Sequence, residues 1–247
     1  MAIGIISAMQ EEMQTLLDNL QEPVATTKGM RTYYHGKLFN VEIVLVFSRW
    51  GKVASATTAT QLINDFAVDE IIFTGVAGAI SPLMNIGDIV IGKNLYQHDV
   101  DASPLFKKFE VPLLHKIYFE TSVSHRERLY QASRLFINSY NDYINAEKAH
   151  SFQIKAPKVS IGDIASGDQF LSDTNATQSL SSELPTVLCV EMEGAAVAQV
   201  CFEYNVPFSI IRIISDKAND NAHIDFPLFA KEVASHYALG ILQYYCK

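Results

Sequence analysis

The clearest hydrophobic pattern of the chain lies between Val187 and Asp216. An apolar run at residues 187–190 precedes a stretch of small residues at 194–204 and a β-branched run at 208–214. Apolar runs of this length are typical of strands buried on both faces of a parallel sheet, and the stretch between them is long enough for a crossover helix. The pattern therefore predicts a strand–helix–strand unit.

Polar residues stand where each of these two strands ends. Glu191, Met192 and Glu193 follow the first strand, and Ser215 and Asp216 close the second. Open parallel sheets bind ligands at the carboxyl ends of their strands. We therefore expect carboxylates from both strand ends to reach one pocket.

The rest of the chain alternates between strand and helix patterns. Short apolar runs predict strands, and apolar residues three to four positions apart predict helices. The alternation favours an α/β fold, which we expect to be a three-layer α/β/α sandwich around a mixed, mostly parallel, twisted sheet. The predicted strands are 2–6, 33–36, 41–47, 70–74, 87–97 and 159–166, and the predicted helices are 9–20, 51–66 and 226–245.

Composition and charge narrow the functional classes. The chain has 247 residues, of which 49% are hydrophobic, so it can bury a full core in a single domain. Its formal net charge of -8 argues against nucleic-acid binding, which needs clustered Lys and Arg. Neither export nor membrane insertion is expected, because no apolar run reaches about 18 residues. Three cysteines, an odd number, favour free thiols in a reducing compartment, so we expect a cytoplasmic protein.

Short motifs along the chain resemble, in the same order, those of the bacterial 5′-methylthioadenosine/S-adenosylhomocysteine nucleosidases. The resemblance covers nearly the whole chain and implies a nucleoside phosphorylase-like fold, a homodimer, and hydrolysis of the N-glycosidic bond of 5′-substituted adenosines. We expect neither a cofactor nor a metal. The motifs are IGIISAMQEE at 3–12, TGVAG at 74–78, GDIV at 87–90, SGDQF at 166–170, EMEGAA at 191–196 and RIISD at 212–216.

The resemblance also implies roles for single residues. Asp216 is expected to be the acid at the purine N7, with its pKa raised by burial, and Glu12 the base that activates water. Glu193 is expected to hold the ribose 2′- and 3′-hydroxyls, Phe170 to stack on the base, and Arg212 to orient the glutamates. The other expected substrate-binding residues are Met9, Trp50, Val76, Ala77, Gly78, Leu171, Glu191, Met192, Ser215 and Phe226.

The chain departs from the family pattern at Trp50 and Val76, and it differs from the related purine nucleoside phosphorylases at Phe73. Trp50 stands where an aliphatic residue is expected, and it is interpreted either as a stacking wall for a ligand or as a lid over the core. Val76 replaces a frequent serine beside the purine. Phe73 stands near the position at which related purine nucleoside phosphorylases usually carry an arginine that binds phosphate. Trp50 and Val76 leave the preferred 5′-substituent open, and Phe73 removes a phosphate ligand.

Two other functions remain open at the level of sequence. A purine nucleoside phosphorylase would share the base site but needs cationic phosphate ligands, for which only Arg49 is near. A non-catalytic nucleoside-binding protein would lack the acid pair. Within the hydrolases, specialisation for aminodeoxyfutalosine is a further alternative.

Each motif residue also has a purely structural interpretation. Asp216 is compatible with a helix N-cap, and Glu191 and Glu193 with the favourable end of a helix dipole. The glycines at 75 and 78 are expected to let the backbone approach a flat ligand closely, but they are also compatible with a tight turn that binds no ligand. Phe170 is compatible with a core position.

Two further segments carry predictions. Residues 98–101, His-Asp-Val-Asp, lack a second histidine at metal-binding spacing, so a polar network at a subunit edge is favoured over a metal site. The loop at 103–112 corresponds to one that reaches the neighbouring subunit in the family. Residues around 120–157 are predicted to be a helical insertion within the single domain that spans 1–247.

Overall fold

The computed structural model describes residues 2–218 and 226–247, with Phe226 described by its backbone alone. Within these residues the chain alternates between strands and helices over most of its length. The strands are β1 (Ala2–Ser7), β2 (Gln21–Lys28), β3 (Arg31–Leu38), β4 (Val41–Phe47), β5 (Glu70–Ala79), β6 (Ile89–Gln97), β7 (Tyr118–Glu120), β8 (Val159–Ser166), β9 (Val187–Glu191) and β10 (Phe208–Asp216).

The strands form one sheet that is open on one side and closed into a ring on the other. The open side has the order β2–β3–β4–β1–β5, in which β4, β1 and β5 are parallel. The ring follows because β5 pairs with both β10 and β9, and β10, β6, β8 and β9 pair in that order. Asp216 lies opposite Gly78, and Gly78 lies opposite Val190. The carboxyl ends of β5, β9 and β10 therefore meet.

Helices cover both faces of this sheet. One face packs against α1 (Gln10–Asp18), α3 (Val123–Ile137) and α8 (Ser235–Tyr245), and the other against α2 (Lys52–Phe66) and α6 (Gly194–Tyr204). The remaining helices are α4 (Ala146–Ser151), α5 (Thr174–Glu183) and α7 (Phe226–Phe229), with a 3-10 turn at Tyr140–Asp142 and a π-helical turn at Ala230–Ala234.

Strand β10 shows why the sheet needs helices on both faces. Successive side chains of a strand point to opposite faces. Ile211 and Ile213 pack with the layer that contains α1, α3 and α8, whereas Ile210 and Ile214 pack with α2 and α6. Full burial of each such side chain contributes about 1.5–3 kcal/mol. The predicted three-layer α/β/α sandwich is confirmed.

The predicted strand–helix–strand unit is present as β9, α6 and β10. Strand β7 and helix α5 were not predicted, and two further strands differ from the prediction for identifiable reasons. Strand β2 was not predicted, because most of its residues are exposed and it contains Pro23. Strand β5 does not end at residue 74 but continues to Ala79, so Gly75 and Gly78 are strand residues and not part of a tight turn.

The segment predicted to be an insertion contributes to the core. It includes β7, α3 and α4, and Leu129 and Phe136 of α3 are fully buried in the same cluster as Tyr237 of α8. Its status as an insertion relative to the family stays a prediction. Cys189, Cys201 and Cys246 are free. Across residues 2–218 and 226–247, each helix is too short or too polar to span a bilayer.

Candidate active site

A cavity of about 150 Å³ opens where the carboxyl ends of β5, β9 and β10 meet. All the predicted site residues whose side chains are described lie on its wall, with the exception of Ser215. Phe226, the remaining predicted residue, has a side chain outside the described part of the chain. Four wall residues were not predicted: Ala8, Gly75, Gln169 and Val190.

Glu12 is held by backbone donors from two elements. It is the third residue of α1, a position from which a glutamate reaches back to the start of its own helix. Its Oε2 accepts hydrogen bonds from the N–H groups of Ala8 and Met9, both at 3.0 Å, and its Oε1 accepts one from Val76 N–H at 3.0 Å. Burial raises the pKa of Glu12 to about 7, against the opposing effects of the Arg212 charge and these three N–H donors.

Two glycines of β5 make room for the carboxyl groups. A Cβ at position 75 would lie 2.9 Å from Oε1 of Glu12, and a Cβ at position 78 would lie 3.0 Å from Oδ1 of Asp216. A side chain at position 75 would require the Glu12 carboxyl group to move, and one at position 78 would also meet Cβ of Ala218 at 2.9 Å. Both glycines also line the cavity, and their predicted role of letting a flat ligand approach the backbone stays a prediction.

Asp216 ends β10 and is also buried. Its Oδ1 accepts a hydrogen bond from Ala218 N–H at 2.7 Å, and its Oδ2 accepts one from the Ser215 hydroxyl at 2.7 Å. Burial raises the pKa of Asp216, although both hydrogen bonds act to lower it. Ser215 is fully buried and lies behind this carboxyl group, so its predicted direct contact with a substrate is not supported by its position.

Glu191 and Arg212 form a buried ion pair at the base of the site. Nη2 of Arg212 lies 2.5 Å from Oε2 of Glu191. The Glu191 carboxylate also accepts hydrogen bonds from the Ser166 hydroxyl and from the N–H of Gly194. The Arg212 guanidinium lies 4.2 Å from the centre of the Phe73 ring. These contacts hold the two groups against each other, although Arg212 Nε has no hydrogen-bond partner among the described residues. The expectation that Arg212 orients the glutamates stays a prediction.

Glu193 carries the second carboxyl group with a strongly raised pKa. Burial and the nearby charge of Glu191 raise the pKa of Glu193 to about 8, against a hydrogen bond from Gly51 and the charge of Arg212. The Gly51 N–H donates to Oε1 of Glu193 at 2.8 Å. Gly51 has a φ of +92°, which favours glycine at this corner between β4 and α2.

Trp50 and Phe170 form the exposed part of the wall. Trp50 is 64% exposed and Phe170 is 56% exposed. The interpretation of Phe170 as a core residue is therefore wrong, whereas the choice between a stacking wall and a lid for Trp50 stays open. Each ring presents an apolar surface to the cavity, as a flat aromatic ligand requires.

Residues 98–101 form a polar network. Asp99 accepts hydrogen bonds from Lys52 Nζ at 2.5 Å and from the Asp168 N–H at 2.8 Å. The described residues contain no cluster of three or more His, Cys, Asp or Glu side chains placed to hold a metal ion. The predicted position of this network at a subunit edge stays a prediction.

Comparison with known proteins identifies a family. A family model described as "Phosphorylase superfamily" matches residues 2–244. The 5′-methylthioadenosine/S-adenosylhomocysteine nucleosidase of Anoxybacillus flavithermus is 36% identical over 237 residues, which cover 96% of this chain and 94% of the relative.

Solved structures show the same similarity. The S. pneumoniae 5′-methylthioadenosine/S-adenosylhomocysteine nucleosidase, solved with the transition-state inhibitor MT-ImmA, is 32% identical with a TM-score of 0.83, over 100% of this chain and 99% of the other. The futalosine hydrolase of Helicobacter pylori is 31% identical with a TM-score of 0.82, over 99% and 96% of the two chains. The two activities therefore occur on closely similar structures.

Proposed function

The chain belongs to the 5′-methylthioadenosine/S-adenosylhomocysteine nucleosidase family, and we propose that Glu12 and Asp216 are the catalytic groups with which it hydrolyses the N-glycosidic bond of 5′-substituted adenosines. The products are adenine and the 5-substituted ribose. The observation that carries the proposal is the placement of two buried carboxyl groups with raised pKa values on the wall of one cavity.

Asp216 is proposed to act on the leaving base. A purine departs more readily when a proton or a strong hydrogen bond at N7 neutralises the charge that it takes from the broken bond. The raised pKa of Asp216 keeps a larger share of this carboxyl group protonated than an exposed aspartate would have. Its contacts with Ser215 and Ala218 fix the carboxyl group at the end of β10.

Glu12 is proposed to activate the attacking water. A base is most effective when its pKa lies near the working pH, and burial raises the pKa of Glu12 to about 7. The negative charge of the ionised group also stabilises the electron-poor sugar of the transition state. The three backbone N–H donors hold Glu12 in one orientation without neutralising its charge.

The remaining wall residues are proposed to bind the nucleoside. Glu193 holds the ribose hydroxyls and Met192 packs beneath the sugar, while Phe170 stacks on the adenine and Leu171 meets its edge. Met9, Trp50, Val76, Ala77 and Gly78 complete the wall. Glu191 and Arg212 support the site through their ion pair.

Water is preferred over phosphate as the nucleophile because the described residues of the cavity wall offer no cation that lacks a carboxylate partner. Arg212 is the only cationic side chain among the described residues of the wall, and it is paired with Glu191 and stacked on Phe73. A phosphorylase needs charged donors that remain available for phosphate.

The function is tested by release of free adenine in phosphate-free buffer and in buffer with added phosphate. The substrates are 5′-methylthioadenosine, S-adenosylhomocysteine and aminodeoxyfutalosine, and their ranking identifies the preferred 5′-substituent. We expect release without phosphate. Release only in the presence of phosphate would make the protein a phosphorylase, and no release from any substrate would contradict the proposed reaction.

We also propose that the protein is a cytoplasmic homodimer. The family resemblance supports the dimer, and the loop at 103–112 and its neighbourhood expose Leu105 (85%) and Leu113 (82%). Light scattering on a size-exclusion column is expected to give twice the mass of the 27.5 kDa chain. A monomer at micromolar concentration would contradict the dimer.

A further inference from the structure

Three residues outside the cavity wall form a closed ring of contacts at its mouth. Lys52 N–H donates to Oδ1 of Asp168 at 2.8 Å, Asp168 N–H donates to Oδ2 of Asp99 at 2.8 Å, and Lys52 Nζ donates to Oδ1 of Asp99 at 2.5 Å. We call Lys52, Asp99 and Asp168 the mouth ring. Each residue contacts both of the others, so displacement of one strains two contacts.

The mouth ring connects three segments that are far apart in sequence. Lys52 begins α2, Asp99 follows β6, and Asp168 lies in the loop after β8. The side chains of Lys52 and Asp99 are only 16% and 21% exposed, which protects their ion pair from water better than a typical surface pair. Burial acts to raise the pKa of Asp99, but the hydrogen bonds from Lys52 and Asp168 outweigh it and lower the pKa.

Both aromatic walls of the cavity stand next to the mouth ring. Trp50 precedes Lys52 by two residues, and Phe170 follows Asp168 by two residues. Gly51, between Trp50 and Lys52, donates its N–H to Glu193, and a Cβ on Gly51 would lie 3.0 Å from Oδ1 of Asp168. The ring therefore reaches the two walls and the Glu193 carboxyl group through one or two peptide units.

The loop that carries Phe170 also packs against His98, which follows β6. A Cβ at position 167 would lie 2.3 Å from Nε2 of His98, so Gly167 packs directly on the imidazole ring. The His98 N–H donates to the Ser166 carbonyl at 2.9 Å. The loop after β8 thus contacts both the end of β6, through His98, and the start of α2, through Lys52.

We propose that Lys52, Asp99 and Asp168 are positioning residues that set the separation of Trp50 and Phe170 and aim the Gly51 N–H at Glu193. The proposal rests on the proposed function, which gives the base to Phe170 and the ribose to Glu193. Glu12 and Asp216 are held by other contacts, so loss of the ring acts on nucleoside affinity and leaves the acid and the base in place.

The test separates KM from kcat in matched variants. Lys52→Met removes the ammonium group but keeps the aliphatic stem, and Asp168→Ala removes the acceptor of the Lys52 N–H. In both, KM for the best nucleoside is expected to rise about 10- to 100-fold, because small displacements of binding groups have effects of this size, with a much smaller change in kcat. Asp168→Asn keeps an oxygen acceptor and is expected to restore KM close to the wild-type value.

The chain supplies its own reporter for this test. Trp50 is the only tryptophan, so fluorescence excited at wavelengths that tyrosine does not absorb, and its quenching by acrylamide, report on the mouth. We expect easier quenching in Lys52→Met and Asp168→Ala, and wild-type quenching in Asp168→Asn. The control is Lys37→Met, which removes an ammonium group from an exposed ion pair with Glu42 and is expected to leave KM, kcat and quenching unchanged.

The outcomes distinguish this proposal from the proposed function. Unchanged KM and unchanged Trp50 quenching in Lys52→Met and Asp168→Ala would overturn the role of the ring. A lower kcat, a higher KM and a lower melting temperature, found together in all three ring variants including Asp168→Asn, would also overturn it. The ring would then only support the fold. If the wild type releases no adenine, calorimetric titration with adenine still tests the ring: weaker binding in Asp168→Ala supports it, and equal binding contradicts it.

Discussion

At the scale of single residues, the site concentrates carboxyl groups around one guanidinium. Glu12, Glu191, Glu193 and Asp216 line the cavity, and Arg212 compensates mainly Glu191. A buried carboxyl group without a counter-charge is stabilised in its protonated form. Unequal sharing of one cation therefore gives the site an ion-paired carboxylate at Glu191 and protonatable groups at the other three positions.

Replacement of Asp216 by asparagine tests the acid. Asparagine can accept the Ala218 N–H and donate to the Ser215 oxygen, so the local structure is expected to persist. It cannot supply a carboxyl proton, and kcat is expected to fall by about 100- to 10,000-fold, the range of general acid–base catalysis. Calorimetric titration is expected to show retained nucleoside binding. Turnover near the wild-type level would contradict the assignment.

The pH dependence of kcat/KM tests Glu12. A base must be ionised, and burial raises the pKa of Glu12 to about 7. We therefore expect kcat/KM to fall as the pH drops below about 7, since this parameter reports groups of the free enzyme. Glu193→Gln is the control, because it removes the other strongly raised carboxyl group. Disappearance of the acid limb in that variant would assign the limb to Glu193.

Site residues with charged side chains were predictable from the sequence, whereas those that contribute only space or backbone groups were not. Glu12, Glu193 and Asp216 stand at strand or helix ends and carry charge, so both pattern and resemblance identify them. Gly75 and Ala8 contribute only space and backbone, and a single sequence gives no signal for a backbone contact to a distant carboxylate. Ser215 lies behind Asp216 where the pairing of β10 with β5 becomes irregular, between Ile214 and Asp216, and the sequence alone does not reveal this irregularity.

At the scale of elements, strand β5 shows why a sequence pattern can misplace an end. Two glycines within four residues resemble a turn, yet β5 continues through them because it is paired on both sides, with β10 and with β9. The glycines serve the neighbouring carboxyl groups instead. The opposite error affects β2, whose exposed residues and Pro23 give no strand pattern although it pairs with β3 as the sheet edge.

Gly75→Ala tests this interpretation of β5. The new methyl group would lie 2.9 Å from Oε1 of Glu12, so the carboxyl group must move. We expect kcat to fall about 100-fold, the effect of misplacing a catalytic group by about 1 Å, in a protein that still folds. Gly4→Ala in β1 is the control, because the nearest atoms to its Cβ would be in the side chains of Leu62, Val68 and Ile71, at 3.3 Å or more. Equal kcat losses in the two variants would contradict a specific effect on Glu12.

At the scale of the whole molecule, the site depends on the closed part of the sheet. Ser166 of β8, Glu191 of β9 and Asp216 of β10 come together only because β5, β10, β6, β8 and β9 pair in a ring. Local hydrophobic patterns predict that these strands exist and that they are buried. They do not specify which strands are neighbours, since that choice depends on contacts between distant segments, so the layers were predictable and the ring was not.

The same architecture makes the fold sensitive to pH through its active-site carboxyl groups. The pKa of Glu193 is raised from 4.5 to about 8 in the folded protein. The stability that this proton contributes is fully present below the unfolded value of 4.5 and is lost as the pH rises through about 8. Glu193→Gln keeps an oxygen acceptor for the Gly51 N–H and cannot ionise, so the variant should gain stability over the wild type only at high pH.

Denaturation with urea at pH 5.5 and pH 9, at one protein concentration, measures this difference. We expect the free energy of unfolding of Glu193→Gln to exceed that of the wild type by on the order of 3 kcal/mol at pH 9, and by much less at pH 5.5. Other titrating groups, such as His98 and His236, are present in both proteins and cancel in the comparison. Parallel pH profiles of the two proteins would show that Glu193 does not limit the stability of the fold. A gain confined to high pH, together with a raised KM, would mean that the carboxyl group is retained for ribose binding at the expense of stability.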